Sequence, residues 1–249
     1  MSTDRRLRLW ELVVEHARGK PATVEDVCAV MVTTVGVDGA AVTVLLSAGA
    51  RETLYASDPV ASDLAELALT LGEGPSVEAG VGSPALVADL TAAESSTRWP
   101  MFAPAALAAG ARAVFALPLH VGAIRLGVVD LYRGRPGPLS REQLADGLTL
   151  ADTTCALLID STQAHPTQGS ANQRNVPAAD GRTPEQVGLQ HPEVHQATGM
   201  IIAQLGVTAA MALVRLRAYA YANDRRLRDV ARDVVTRRLR FPREEQIDG

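Results

Sequence analysis

Between residues 163 and 181 the chain loses every regular spacing of apolar residues. His165, Pro166, Gly169, Asn172, Gln173 and Asn175 fall in one short stretch. Such a composition cannot bury enough apolar surface to offset chain entropy, so it reads as a linker. Helix and strand periodicities run on both sides of it. The chain therefore divides into a body over 1–162, a linker over 163–186 and a tail over 187–243. A length of 249 residues, 47% of them hydrophobic, suits two domains with cores of their own.

Charge divides along the same line. Residues 1–186 hold 14 Lys and Arg against 21 Asp and Glu, whereas residues 187–249 hold 10 against 7. A net charge of −4 thus conceals an acidic body and a basic tail, and a local basic excess marks an electrostatic footprint for phosphate. Every basic residue of the tail is arginine; Lys20 is the chain's one lysine. Arginine keeps its charge and offers a planar fork to phosphates and base edges. The two cysteines, Cys28 and Cys155, stand among apolar residues with no CxxC spacing, as buried small hydrophobes do in a reducing compartment. Residues 7–16 are interrupted by Glu11 and Glu15, so they suit an amphipathic helix and not a signal sequence. No apolar run reaches the roughly 20 residues a bilayer demands. The expectation is a cytoplasmic protein with no membrane partner.

In the body, residues 5–19 have a helical stripe of Leu9, Leu12, Val13 and His16. Thr23 precedes a second helix carrying Cys28, Met31 and Val32, with Glu25 and Asp26 in its first turn. Residues 40–47 and 51–57 read as a strand pair turning at Gly49, and Asp58 with Pro59 opens a helix to Leu71. Residues 72–76 read as a loop, 85–88 as a short strand, and 98–110 as a helix. Residues 112–121 and 124–133 form two strands joined at Gly122 and Ala123, and Ser140 caps a last helix to about Thr162. Paired strands between helices predict an α+β body: an antiparallel sheet with flanking helices.

The tail predicts an all-α unit of three helices. Thr183 and Pro184 offer a helix start that Gly188 and Pro192 cut short. Residues 192–205 carry Val194, Thr198, Ile201 and Leu205 at helical spacing and end at Gly206. Thr208 caps residues 209–222, with Ala212, Leu216 and Ala220 on one face. Residues 227–239 set Leu227, Val230, Ala231, Val234 and Val235 against Arg228, Arg232, Arg237 and Arg238. So small a unit is marginal alone and gains from dimerisation.

The chain has no nucleophile elbow, phosphate loop, dinucleotide fingerprint or HExxH, and the expectation is a protein that is not an enzyme. His191 and His195 are four apart but lack a third ligand nearby, so no metal site is expected, and no cofactor. Gly72 and Gly74 are too few for a phosphate cradle.

Two stretches resemble known families. Residues 22–161 look like a GAF domain, a sensing module, through residues 72–76, Asp89 and Leu90, residues 98–102, residues 110–119 and Leu126-Gly127-Val128-Val129-Asp130-Leu131. Residues 187–241 look like an ANTAR domain through Ala197 and Gly199, Leu205 and Gly206, Ala212, Leu216, Arg217 and Ala220, then Arg226, Leu227, Asp229, Val230 and Ala231. The order is similar to actinobacterial GAF–ANTAR regulators. The resemblance implies a homodimer that binds paired stem-loops in nascent RNA and prevents a terminator hairpin from forming. Splayed loop bases are then read by side chains while arginines hold the backbone.

On that reading Arg217, Arg225, Arg226, Arg228 and Arg232 meet RNA, Tyr219 or Tyr221 stacks a base, and Ala197 and Gly199 permit close helix approach. Arg237, Arg238 and Arg240 are RNA contacts or a solvated face. The chain departs from the family at Thr198, where lysine is usual, and at Gln204, where a basic residue is frequent. This shifts the charge toward the third helix. A small-molecule pocket near Trp99, Phe102, Phe115 and Tyr132 is the expectation for the sensor; the alternative is that they are core. Two other functions fit the basic tail: a DNA-binding regulator, and a sensor whose tail only dimerises.

Overall fold

The structure is a computed structural model that describes residues 2–45, 51–80, 82–163, 192–223 and 225–241. The linker, the helix start at Thr183, the turn at Gly49 and His191 lie outside them. The body runs α1 (Ser2–His16), α2 (Val24–Met31), a π-helical turn (Val32–Gly36), β1 (Gly39–Leu45), β2 (Arg51–Ala56), α3 (Pro59–Leu71) and α4 (Pro75–Ala79). It continues with β3 (Ala85–Val87), α5 (Ala93–Arg98), α6 (Phe102–Ala108), β4 (Ala113–Val121), β5 (Ile124–Arg133) and α7 (Arg141–Gln163). The tail is α8 (Pro192–Leu205), α9 (Ala209–Ala222) and α10 (Leu227–Val235).

The five strands form one antiparallel sheet in the order β2-β1-β5-β4-β3. Alternation of side chains sends neighbours to opposite faces. Phe115, Leu117, Leu119, Val129 and Leu131 pack with Leu9, Val13, Met31 and Leu150 from α1, α2 and α7. Val114 and Tyr132 pack on the other face with Leu64, Ala68, Trp99 and Phe102 from α3 and α6. Both faces are covered, so β4 reads as a nearly unbroken apolar run from Ala113 to Leu119. Gly127 lets β1 approach β5: a Cβ there would lie 2.1 Å from the Thr43 carbonyl oxygen.

Local chemistry explains the element ends. Thr23 accepts from the Asp26 N–H while the Asp26 carboxylate accepts from the Thr23 N–H, a complete capping box. Asp58 caps α3 by accepting from the Ala61 N–H, and Pro59 supplies its first residue. Asp146 on α7 accepts from Arg5 at 2.7 Å and from Arg8 at 2.9 Å, which ties α1 to α7. Burial pushes the thiols of Cys28 and Cys155 up to about 12 and about 11, leaving them as protonated, unreactive packing groups. No helix among the described residues is long and apolar enough to cross a membrane.

Three details differ from the sequence expectation. Of the expected loop 72–76, residues 75 and 76 open a helix over 75–79, because Gly74 and Pro75 supply a start and Ser76 and Ala79 are buried against the sheet. Glu73, beside them, accepts from the backbone N–H groups of Met101 and Phe102 at 2.7 and 2.6 Å and so caps α6 from a distance. The short α5, with Ser95, Ser96 and Thr97 at its centre, is held by tertiary bonds: Ser95 donates to the Asp89 carbonyl, and Glu78 accepts from Arg98 and from the Trp99 indole N–H. The π turn after α2 has two of its carbonyls, at Val35 and Gly36, satisfied by the buried Arg133 guanidinium.

Candidate nucleic-acid interface

The tail folds around one seam of small and branched residues. Val194, Ala197 and Ile201 of α8, Ala212, Leu216 and Ala220 of α9, and Leu227, Val230, Ala231 and Val234 of α10 are buried together. Alanines at these positions let the helices approach closely. Gly206, at φ 69°, ends α8 in the left-handed conformation and donates to the Ile202 carbonyl. Thr208 caps α9 by accepting from the Met211 N–H. After Val235 the chain leaves the helix, and Phe241 returns to meet Tyr219 edge-on, with ring centroids 5.6 Å apart.

Packing the apolar stripe inward fixes where the arginines go. Arg225, Arg226, Arg232 and Arg238 surround a shallow surface depression of about 430 Å³ together with Asp229 and Asp233. Four guanidiniums and two carboxylates thus line it. Asp233 organises it by accepting from Arg225 at 2.7 Å and Arg238 at 3.0 Å. Its bond to Arg225 holds the Asp233 carboxyl below the usual carboxylate range. Arg232 stands 3.9 Å from Asp229 and 4.0 Å from Glu193.

The other expected contacts turn toward the body. Arg226 reaches Asp63 at 3.2 Å and Glu66 at 3.7 Å, both on α3, and Arg228 stands 3.9 Å from Glu66. Arg217 of α9 points at Gly72, where a Cβ would meet its Nη1 at 3.4 Å. Its Nε is buried without a hydrogen-bond partner, and burial lowers its pKa, with Arg51 adding to the effect. Leu69 of α3 enters the tail's apolar cluster, and the Tyr221 hydroxyl donates to the Met101 sulfur at 3.4 Å. One helix of the body thus holds the basic side of the tail.

Several sequence expectations change here. Tyr219 is committed to Phe241 and the core, so the exposed aromatic is Tyr221. Ala197 is buried, as close packing requires, but Gly199 is exposed and a Cβ there would touch nothing within 4 Å; it mediates no helix approach. Trp99, Phe102 and Tyr132 share one face of the sheet, but Phe115 lies on the opposite face, because it pairs with Leu131 while its neighbour Val114 pairs with Tyr132. The four cannot line one pocket. The sequence sets Arg238 on the polar side of a helix over 227–239, but the helix ends at Val235, Arg237 takes φ 61° and turns the chain back, and Arg238 joins the basic surface from beyond the helix. The two departures have structural uses. The Thr198 hydroxyl donates to the Val194 carbonyl, and Gln204 accepts from the Phe241 N–H.

The comparisons with known proteins fall on the same two regions. Residues 190–235 match the family model of the ANTAR domain. The ANTAR match spans all three tail helices and stops short of Arg238. Among solved structures the chain is similar to the GAF domain of an Acinetobacter phosphoenolpyruvate-protein phosphotransferase, at 12% identity and TM-score 0.47, over 66% of this chain and 96% of that one. It is similar to the corresponding GAF domain of Coxiella burnetii at 12% identity and TM-score 0.47, over 66% and 98%. A phycocyanobilin-bound GAF domain from a cyanobacterial phytochrome aligns at 12% identity and TM-score 0.43, over 66% and 97%. No curated protein matches the chain.

Proposed function

We propose that this protein is a signal-responsive transcription antiterminator whose ANTAR tail binds stem-loops in nascent mRNA while the body acts as its sensor. The observation that carries the reading is the ANTAR match over a helical unit whose outer surface gathers Arg225, Arg226, Arg232 and Arg238. Guanidiniums at that spacing suit the phosphates of a folded RNA, and Tyr221 is exposed beside them to stack an unpaired base. The docked arrangement, in which α3 carboxylates hold Arg226 and Arg228, is the state with reduced access to RNA. The signal acts by shifting the balance between this docked tail and a released one.

Binding of paired hairpins, scrambled RNA and duplex DNA to the full chain tests this. Preference for paired hairpins is the expected result. Equal affinity for scrambled RNA overturns the antiterminator reading, and preference for the duplex replaces it with a DNA-binding regulator. With four arginines at phosphates, the logarithm of the affinity should fall with the logarithm of salt at a slope of about −3 per protomer. A slope near zero would mean that these arginines do not meet phosphate.

The homodimer belongs to the same proposal. Leu7 and Trp10 are exposed on α1 at 56% and 40%. They line a groove of about 690 Å³ with Val121, Leu157 and Ile159, and Arg6 and Asp152 stand on its rim. Opposite charges on one apolar patch allow it to meet its own copy about a two-fold axis. Trp10→Arg is expected to convert the dimer to monomer in light scattering, without loss of the folded circular dichroism signal.

A further inference from the structure

The seam between body and tail contains a cleft of about 560 Å³. Leu67 and Leu71 of α3, Met101 and Ala105 beside and within α6, and Ala220 and Tyr221 of α9 form its walls. Asp63, Glu66, Arg225 and Arg226 stand at its edge, two anions and two cations. These charges already pair: Arg226 with Asp63 and Glu66, and Arg225 with Asp233. The edge therefore creates no demand for a charged guest. Thr70 belongs to the cleft wall, and its hydroxyl is buried with no hydrogen-bond partner among the described residues; a turn about its Cα–Cβ bond would present it to a guest.

We propose that this cleft is the sensory ligand site, and that it takes a small uncharged aromatic molecule bearing one hydrogen-bonding group for Thr70. The volume is ample for a one- or two-ring compound, since ligand sites begin near 300 Å³. The site differs from the aromatic core of the body, where Trp99 and Phe102 are packed tightly. Its walls come from both units, so a guest touches the body and the tail at once. A ligand that gains contacts only in the docked arrangement stabilises that arrangement. Occupancy must then weaken RNA binding, and RNA must weaken ligand binding by the same factor. This sign of regulation rests on the proposed antiterminator function; the site itself does not.

The test uses the full chain labelled with ¹³C at the methionine methyls, titrated with indole, quinoline and phenol. A saturable shift of the Met101 methyl, identified by its loss in Met101→Leu, is expected with at least one probe below about 1 mM. Ala105→Trp, which fills the cleft, should abolish it, and Thr70→Val should weaken indole severalfold while leaving naphthalene, titrated separately as a control without a hydrogen-bonding group, unchanged. Leu69→Asp, which opens the seam without lining the cleft, should weaken every probe at least threefold. No saturable Met101 shift with any of the three, or a shift that survives Ala105→Trp, overturns the site. Saturating probe should lower hairpin affinity at least threefold. Binding at Met101 with unchanged hairpin affinity overturns the regulatory role alone. Binding at Met101 in a chain with no hairpin preference would refute the antiterminator reading and leave the site standing.

Discussion

Asp63→Lys combined with Glu66→Lys is expected to raise the affinity of the full chain for paired hairpins by about 5- to 100-fold. The two carboxylates face Arg226 and Arg228 through three pairs at 3.2, 3.7 and 3.9 Å. Pairs of this kind, open to solvent on one side, are worth about 0.2–1 kcal/mol each, or about 0.6–3 kcal/mol together. Reversal removes that attraction and sets cation against cation. The tail is then biased away from α3, and Arg217, Arg226 and Arg228 become free to meet phosphate. Fluorescence anisotropy at fixed salt measures the change. Asp4→Lys with Glu15→Lys on exposed α1 supplies the same added charge at a remote place, so a general rise in RNA attraction would appear in both proteins. Equal gains in the two would show that α3 does not mask the tail.

Asp130→Asn is expected to stabilise the protein by about 2–3 kcal/mol at pH 7.5 and to have little effect near pH 4. Asp130 is buried beneath α4, where the Ser76 hydroxyl donates to it at 2.7 Å and its second oxygen has no partner. Burial pushes its pKa up to about 6, against the smaller opposing pulls of Ser76 and Arg51. In the unfolded chain the same carboxyl ionises near 3.8. Below that value both states hold the proton and the group adds no penalty. As pH rises from about 4 through 6, the unfolded chain ionises first and stability falls, by about 1.4 kcal/mol per unit of separation. Asparagine keeps an acceptor for Ser76 and never ionises. Urea unfolding of both proteins at pH 4.5 and 7.5 separates this from any pH dependence they share. A variant less stable at pH 7.5 would mean that the attraction of Arg51 outweighs burial and that the folded state favours the Asp130 carboxylate.

Most of the architecture was legible because periodicity and capping agree. Residues 112–133 alternate on both sheet faces, and the caps at Thr23, Asp58 and Thr208 stand where the sequence places them. What could not be read depends on partners distant in the chain. α5 exists through bonds to Glu78 and Asp89, and the π turn through Arg133. The candidate site divides the same way. The tail arginines declare themselves by composition, but only the fold reveals that Arg217, Arg226 and Arg228 are turned to α3 while Arg238 joins Arg225 and Arg232. Phe115 misled because aromatic content carries no information about which face of a strand is up.

Helix α3 is shared between two cores. Ala61, Leu64, Ala65 and Ala68 face the sheet, and Leu69 faces Val194 and Leu227 in the tail. Whenever the tail departs, Leu69 and its two counterparts are wetted together, an apolar patch that water disfavours. A second tail offers those counterparts a substitute cover, so liberation from the body and pairing of tails draw on one surface. Under the proposed release, protein concentration becomes an input to the switch: dilute chains stay folded back on themselves, and crowded ones exchange an internal neighbour for an external one.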